Sequence, residues 1–237
     1  MYSLDFVVTT STCDADGKLQ FFSALQMMQD CSEMWLESEP TVARYFTENQ
    51  MTQLLAARQV EVVRVPRFRE RLRVTTSVYE VKPMFGFRNT FIYDANGEPC
   101  YRSWSMGAFV DMTSGRLSRI DNNVINSVTI EEKLPMTYGD RRIRIHTEPA
   151  GTPEPLRLQR CDIDYNQHVN NAIYVRIAQN LLPDGFCIGA MRVEYRRPAR
   201  YGETLQPYVY HIGQTIVIQM KVGTDECCLI EFTPTEE

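Results

Sequence analysis

An internal repeat constrains the fold of this chain more than any other sequence feature. Residues 13–16 read Cys-Asp-Ala-Asp and residues 161–164 read Cys-Asp-Ile-Asp, which gives an offset of 148. A second pair of similar strings begins at Val60 and at Val193, with an offset of 133. Because the offsets differ by 15, we predict that the first half carries 15 extra residues between its helix and the next strand. The chain of 237 residues is therefore expected to contain two copies of one structural unit.

Each half shows the same order of predicted elements. Apolar residues at helical spacing predict helices over roughly Leu19–Ser38 and Asn170–Leu182. Alternating segments between turn residues predict strands after each helix, over residues 72–82, 85–94, 99–111, 204–212, 214–222 and 227–233. One long helix against one face of a curved antiparallel sheet buries both apolar surfaces. This α+β order is typical of the hotdog fold, and two tandem copies predict a double hotdog that mimics a symmetric dimer.

These elements divide the sequence into three parts. We predict an N-terminal hotdog domain over residues 1–115, a linker over 116–153 and a C-terminal hotdog domain over 154–237. The pseudo-dimer either stands alone or pairs again as a homodimer.

Composition argues against several classes of protein. The net charge of −5 argues against a general nucleic-acid binder, and no apolar run is long enough to span a bilayer. The first residues lack the basic and long apolar segments of a signal peptide. The seven cysteines include no Cys-x-x-Cys pair, which argues against a disulfide framework or a zinc site and favours the cytoplasm. We expect neither a metal nor an organic cofactor.

Arginine dominates the basic residues, with 21 Arg against four Lys. The arginines cluster in three segments, Arg64–Arg73, Arg141–Arg144 and Arg192–Arg200. Such clusters are most often solvated strand edges, but guanidinium groups also bind phosphates and carboxylates well. The alternative is a surface that binds an anionic carrier, which the negative net charge does not exclude because local fields steer association.

Asp164, Asn166 and His168 stand at alternate positions just before the second predicted helix. Histidine is a natural general base because its ordinary pKa lies near neutrality. The Asn166 amide is suited to hold a water molecule or a carbonyl, and Asp164 to fix the geometry of the other two. Backbone N–H groups over His168–Asn171, at the start of the helix, are suited to receive developing negative charge.

The sequence resembles the acyl-acyl-carrier-protein thioesterases of plants and bacteria, which have tandem hotdog domains. The resemblance covers nearly the whole chain and rests on four segments, Cys13–Leu19, Phe85–Asp94, Asp164–Tyr174 and Val193–Arg197. It implies hydrolysis of the thioester between a fatty acyl chain and the phosphopantetheine of acyl carrier protein. It also implies that Asp164, Asn166 and His168 are catalytic.

One departure from the family pattern follows the Tyr-Arg-Arg string. Family members carry an acidic residue there, often followed by Cys, whereas this chain has Pro198 and Ala199. Either hydrolysis proceeds without that carboxylate, or Glu194 or Glu203 replaces it, or the protein is a poor hydrolase. Glu194 is the first replacement candidate, although it alternates with apolar residues on a strand and repeats Glu61, which favours a structural role.

The first half lacks the catalytic set. At the offset of 148, Asp16 matches Asp164, while Lys18 and Gln20 stand at the positions of Asn166 and His168. We therefore interpret Asp16 as structural, expect one site per chain, and assign the acyl-chain pocket to the N-terminal domain. Apolar side chains suited to such a tunnel include Met27, Met28, Trp35 and Phe85.

Other residues near the motif have simpler interpretations. Asn170 and Asn171 are equally well explained as helix caps. Cys161 is interpreted as a buried small apolar residue rather than a nucleophile, and Cys13 at the matching position supports this.

Three rival functions stay open. An acyl-CoA thioesterase would share the fold and the water chemistry. A hotdog hydratase has an Asp-x-Asn-Pro-x-His string, whereas here His168 follows Asp164 by four positions and Gln167 replaces the proline. A non-catalytic acyl-binding module is supported by Pro198.

Overall fold

The computed structural model describes residues 1–235, so residues 236 and 237 of the predicted C-terminal domain lie outside the described part. The chain divides into two compact units. The first contains Met1–Ala56 and Glu61–Tyr138, and the second contains Ala57–Val60 and the chain from Gly139 onward. Among the described residues, no helix is both long enough and apolar enough to cross a membrane.

The first unit packs a long helix against an antiparallel sheet. Its elements in chain order are β1 (Tyr2–Val7), α1 (Phe21–Glu37), α2 (Pro40–Glu48), β2 (Met51–Val62), β3 (Arg71–Lys82), β4 (Phe85–Asp94), β5 (Pro99–Asp111) and α3 (Asn122–Ser127). The strand order is β1-β3-β4-β5-β2. Helix α1 lies against β1, β3 and β4.

The second unit repeats this plan with a shorter helix. Its elements are β6 (Leu156–Arg157), α4 (Asn171–Gln179), β7 (Ile188–Tyr195), β8 (Thr204–Ile212), β9 (Thr215–Val222) and β10 (Asp225–Pro234). The strand order is β7-β10-β9-β8-β6, with antiparallel pairing. The α+β prediction is confirmed, and the predicted strand bounds are correct to within about two residues.

Helix α1 forms because one of its faces is apolar. The buried residues recur at three- and four-residue spacing and include Ala24, Leu25, Met28, Cys31 and Trp35. Each larger side chain among them contributes about 1.5–3 kcal/mol on burial. The helix begins at Phe21 rather than at the predicted Leu19, because the Leu19 N–H donates to the Pro66 carbonyl at 2.8 Å. The second helix ends at Gln179, three residues before the predicted end.

The repeat is real, but the predicted offset of 148 is wrong by two residues. The Asp14 N–H donates to the Lys18 carbonyl at 2.8 Å, and the Asp164 N–H donates to the His168 carbonyl at 2.9 Å. These equivalent bonds set the offset at 150. Asp164 therefore corresponds to Asp14 and not to Asp16.

The corrected register changes which residues are compared across the two halves. Asp16 now matches Asn166, and Lys18 matches His168. The left-handed residue of each turn also coincides, since Gly17 has φ +72° and Gln167 has φ +63°. The first half still lacks the Asn and His of the second.

The offset of 133 is confirmed by a repeated ion pair. Arg64 lies 2.8 Å from the Glu70 carboxylate, and Arg197 lies 2.7 Å from the Glu203 carboxylate. In both turns this carboxylate also accepts the backbone N–H three residues earlier, at 2.7 and 2.8 Å. The first half therefore carries 17 extra residues, not the predicted 15, and they lengthen α1 and add α2.

The Glu203 turn makes a pH-dependent contribution to stability. Its hydrogen bond from Arg197 lowers the pKa of the Glu203 carboxyl. A carboxyl with a depressed folded-state pKa stabilises the fold above its unfolded pKa, and that contribution is lost as the pH falls through the folded pKa. We expect Glu203→Gln to lower the free energy of unfolding by about 1 kcal/mol at neutral pH, because the pair is partly exposed.

Urea unfolding across the acid range checks this prediction. The difference between wild type and Glu203→Gln should shrink as the carboxyl of the wild type becomes protonated. The equivalent variant in the first unit is Glu70→Gln. Arg64 lowers the pKa of the Glu70 carboxyl, so this variant should show the same dependence on pH. A difference that stays constant into acid would show that the charge of Glu203 is not what stabilises the turn.

Candidate active site

The loop before α4 is a tight turn built on Asp164. The Asp164 carboxylate accepts the Asn166 N–H at 2.9 Å, and the Asp164 carbonyl accepts the Gln167 N–H at 3.0 Å. A bridge between Ile163 and Val169 closes the turn. Asp164 therefore shapes the loop through its side chain, as Asp and Asn commonly do in turns.

Asn166 and His168 project from this turn. Asn166 is exposed and His168 is partly buried. Within residues 1–235, neither side chain makes a hydrogen bond to another protein group. The structure thus has the three predicted residues on one loop, with the Asp164 side chain bonded to the turn, Asn166 exposed and His168 partly buried.

The N-terminus of α4 leaves specific backbone donors open. The Asn170 side chain caps the helix by accepting the Ala172 N–H at 2.9 Å, so the cap prediction is confirmed for Asn170. The Val169 and Asn170 N–H groups donate to other carbonyls. In the described part of the chain, the N–H groups of His168 and Asn171 have no acceptor, and they are the members of the predicted donor set that stay open.

Two tyrosines connect the start of α4 to the end of β7 and to the residues that follow it. The Ala199 N–H donates to the Tyr174 hydroxyl at 2.7 Å, and the Tyr195 hydroxyl donates to the Asn171 carbonyl at 2.8 Å. Their rings contact each other edge to face. Burial raises the pKa of both phenols well above the ordinary value, so the hydroxyls stay neutral.

An ion pair between a buried aspartate and a half-exposed arginine holds the loop from the other side, and the sequence reasoning missed it. Asp162 accepts the Gln159 N–H and lies 2.8 Å from the Arg176 guanidinium. The Asp162 side chain is 6% exposed, so loss of Arg176 would leave a buried charge. The sequence signal for Asp162 was only its place in the repeated string.

The position of the missing family acid lies beside the loop. The Val169 N–H donates to the Ala199 carbonyl at 2.9 Å, and Ala199 is fully buried. Pro198 and Ala199 thus stand next to the residue that follows His168. The departure from the family pattern lies at the candidate site itself.

Glu194 lies on the other side of the sheet of the second unit. Tyr195 faces α4, and successive side chains of a strand point to opposite faces. Glu194 accepts the Ile143 N–H at 3.3 Å and lies 3.4 Å from the Arg196 guanidinium. The structure therefore does not bring Glu194 to the loop. Glu203, the other replacement candidate, is held by Arg197.

Most arginines of two predicted clusters pair with acidic side chains of their own unit. Five of the nine are paired: Arg64 with Glu70 and Asp94, Arg73 with Asp5, Arg192 with Glu231, Arg196 with Glu194 and Glu226, and Arg197 with Glu203 and Asp225. By contrast, Arg141, Arg142 and Arg144 are exposed on either side of the buried Ile143. A surface that binds the carrier stays a prediction. Its best candidate is the segment Arg141–Arg144, because its arginines are exposed.

A narrow cavity lies within the first unit. Its volume is about 20 Å³, room for roughly one water molecule. Its lining is mainly apolar and includes Trp35, Val42, Phe46, Val78, Phe109 and Val128. Of the residues expected to form an acyl tunnel, Trp35 lines this cavity, whereas Met27, Met28 and Phe85 do not.

One cysteine prediction is wrong. Cys161 is exposed, not buried, because it lies in the short 3-10 turn Arg160–Asp162 at the surface. Its supposed partner Cys13 corresponds to Ile163 in the corrected register.

A structural test of the turn separates shape from charge. We expect Asp164→Ala to open the loop, because the bond to the Asn166 N–H is lost, at a cost of about 1 kcal/mol. Asp164→Asn keeps an acceptor oxygen and should retain the turn. Amide hydrogen exchange at Asn166 and Gln167 measures this. Faster exchange in both variants would mean that the carboxylate charge, not its geometry, holds the loop.

Comparisons with known proteins identify related sequences. A family model described as the acyl-ACP thioesterase N-terminal domain matches residues 1–128, and one described as the C-terminal domain matches residues 145–227. The acyl-[acyl-carrier-protein] hydrolase FATB3 of Cuphea viscosissima is 28% identical over 159 residues. That match covers 62% of this chain and only 38% of the relative's length.

Solved structures share the fold over nearly the full length. An acyl-ACP thioesterase from Bacteroides thetaiotaomicron has a TM-score of 0.87 at 20% identity and covers 98% of this chain and 96% of its own. The 12:0-ACP thioesterase from Umbellularia californica has a TM-score of 0.81 at 18% identity, with coverages of 99% and 97%. The predicted double hotdog fold is confirmed, as is the resemblance seen in the sequence.

Proposed function

The chain belongs to the acyl-ACP thioesterase family, and from this premise we propose that it hydrolyses fatty acyl thioesters of acyl carrier protein and releases the free fatty acid. The observation that carries the proposal is the loop before α4. It presents Asn166 and His168 beside open backbone N–H groups at a helix N-terminus.

In the proposed reaction, His168 is the general base. Its imidazole takes a proton from water as the water oxygen bonds to the thioester carbonyl carbon. The Asn166 amide orients that water through its carbonyl oxygen. The negative charge that develops on the thioester oxygen is received by the Asn171 N–H, which the positive end of α4 reinforces.

The tetrahedral intermediate then collapses with loss of the pantetheine thiolate, which takes the proton from His168. A thiolate is a good leaving group, so acid assistance matters less than in amide hydrolysis. This is why the proposal does not require a carboxylate at Pro198. Asp164 acts by maintaining the turn that positions Asn166 and His168.

Two alternatives are tested beside it. The first is an acyl-CoA thioesterase, since acyl-CoA would bring the same phosphopantetheine thioester to the same loop. A non-catalytic acyl-binding module is favoured by Pro198 and Ala199 at the position of the family acid. We also propose that the protein acts in a reducing cytoplasm, because all seven cysteines are free thiols.

Release of free fatty acid from matched acyl-carrier-protein and acyl-CoA substrates tests the proposal. We expect His168→Ala to lower kcat by at least about 100-fold, the usual contribution of a general base. The matched control is Lys18→Ala, which changes the equivalent position in the first unit and should leave turnover unchanged.

The same assay separates the alternatives. Faster turnover of the CoA substrate would favour the acyl-CoA thioesterase. Tight acyl-carrier binding without fatty acid release would favour the binding module. Full turnover by a folded His168→Ala protein would remove His168 from the mechanism.

A second variant concerns the carboxylate question. We expect Glu194→Gln to turn over at nearly the wild-type rate, because its carboxylate contacts Ile143 and Arg196 and glutamine retains an acceptor for the Ile143 N–H. The pH profile of kcat measures any acid–base role. Loss of activity with an altered pH profile, in a folded variant, would restore Glu194 as the replacement carboxylate.

A further inference from the structure

The turn before α4 carries a charged pair that the equivalent turn of the first unit lacks. The Asp162 carboxylate accepts the Gln159 N–H at 2.8 Å and a guanidinium N–H of Arg176 at 2.8 Å. The Asp162 carbonyl accepts the N–H of Asn170, the residue that caps α4, at 3.1 Å. Asp162 therefore connects the start of the 3-10 turn, the cap of α4 and a residue farther along that helix.

The first unit makes the same backbone connections with a neutral side chain. At the offset of 150, the equivalent residue is Thr12. Its hydroxyl oxygen accepts the Thr9 N–H at 3.0 Å, and its carbonyl accepts the N–H of Gln20, the residue before α1, at 2.9 Å. The place of the arginine is taken by Gln26, which is exposed. The shape of the turn thus requires a neutral oxygen and no charge.

The charge of Asp162 has a cost that the turn does not explain. The Asp162 side chain is 6% exposed, and that of its partner Arg176 is 44% exposed. A buried carboxylate is unfavourable unless a cation is paired with it, and a neutral residue avoids that cost. The pair stands in the unit that also carries His168 and open backbone N–H groups at its helix start. The reaction therefore offers a reason for the pair that the turn does not.

The pair lies close to the candidate base. The bridge that closes the turn places Asp162 opposite Asn170, which follows His168 by two residues. A carboxylate near an imidazole favours its protonated form, and a guanidinium favours its neutral form. A general base works when it is unprotonated, so the charge of Asp162 alone would oppose that role. The Arg176 guanidinium offsets this charge.

Other titratable side chains on the elements that meet at this loop act differently. They are Arg160, Cys161, Asp164, Tyr174, Tyr195 and Arg200. The two arginines are exposed, so water and salt screen their charges. The two phenols stay neutral because burial raises their pKa. Asp164 has a counterpart in Asp14 of the first unit and belongs to the turn itself. The buried charge beside the loop is that of Asp162.

We propose that Asp162 and Arg176 are positioning residues for the reaction. The Asp162 carboxylate fixes the loop, and the Arg176 guanidinium offsets its charge, so that His168 works beside a neutral pair rather than beside a buried negative charge. The inference rests on the proposed function, since it gives this pair an effect on the base of that reaction. The turn of the first unit carries no such base, and its neutral Thr12 needs no counter-ion.

The test is the pH profile of kcat on an acyl carrier, whose acidic limb reports protonation of the base. Arg176→Gln introduces the residue of the first unit and leaves the carboxylate uncompensated. We expect the acidic limb to move to higher pH by about 0.5 pH unit. The plateau at higher pH should change little, because the carboxylate favours the charge on the imidazole and opposes the charge on the thioester oxygen. A loop that had merely lost its shape would lower the plateau and leave the limb in place.

Further variants reverse or restore the effect. The double variant Asp162→Thr/Arg176→Gln reproduces the neutral turn of the first unit and should return the limb to its wild-type position, and Arg176→Lys should keep it there. Asp162→Asn retains an acceptor for the Gln159 N–H, leaves the guanidinium without its carboxylate and should move the limb to lower pH. If Arg176→Gln does not fold, Asp162→Asn decides the question. An unmoved limb in the folded single variants overturns the proposal.

Arg160→Gln is the matched control, because it removes an exposed arginine from the same turn. Its acidic limb should stay in place. A shift equal to that of Arg176→Gln would show that the net charge of the surface, and not the pair, acts on the base, and would overturn the proposal.

Titration of the His168 imidazole by NMR, without substrate, separates this inference from the proposed function. The midpoints of the variants should move in the same directions as the limbs. If the protein hydrolyses no thioester, the proposed function fails while the midpoints still decide the role of the pair. If hydrolysis is normal and neither the limb nor the midpoint responds to Arg176→Gln, the role of the pair fails while the function stands.

Discussion

In each unit, one backbone hydrogen bond ties the loop before the helix to the turn that enters the sheet, and so fixes where the helix starts. The Leu19 N–H donates to the Pro66 carbonyl in the first unit, and the Val169 N–H donates to the Ala199 carbonyl in the second. A helix that packs on a curved sheet must begin at a fixed point, or its apolar face slides relative to the strands. These bonds set that point, and in the second unit the same bond positions the loop that carries Asn166 and His168.

Because the bond uses backbone atoms, the side chains around it were free to diverge. The turn on Asp14 and the turn on Asp164 have the same shape, yet the equivalent positions hold Asp16 and Lys18 in one unit and Asn166 and His168 in the other. Lys18 pairs weakly with Asp16 at 3.9 Å, as surface charges do. The scaffold thus explains where a site can form, and only the second unit places an amide and an imidazole there.

Sequence patterns predicted the strands well, because alternation reports directly on which face of a sheet is buried. They placed the repeat two residues off, because the Cys-Asp-x-Asp strings match by residue type and not by role. What the two turns share is an Asp acceptor and a left-handed residue. Gly17 adopts that conformation readily, but Gln167 does so at a cost, so residue identity hides the equivalence.

The acidic residue that the family has at Pro198 is not needed for the backbone geometry of the loop. The turn at Pro198 and Ala199 holds the loop through the Ala199 carbonyl and N–H, and the Tyr174 hydroxyl accepts that N–H. Neither bond needs an acidic side chain, so the loss of a carboxylate leaves the geometry of the loop intact. It also removes a negative charge from the place where the thioester oxygen would become negative, and like charges at close range repel. In the proposed reaction the leaving group is a thiolate, which departs without strong acid assistance, so a loop with an imidazole, an amide and an open helix N-terminus would retain the groups needed most.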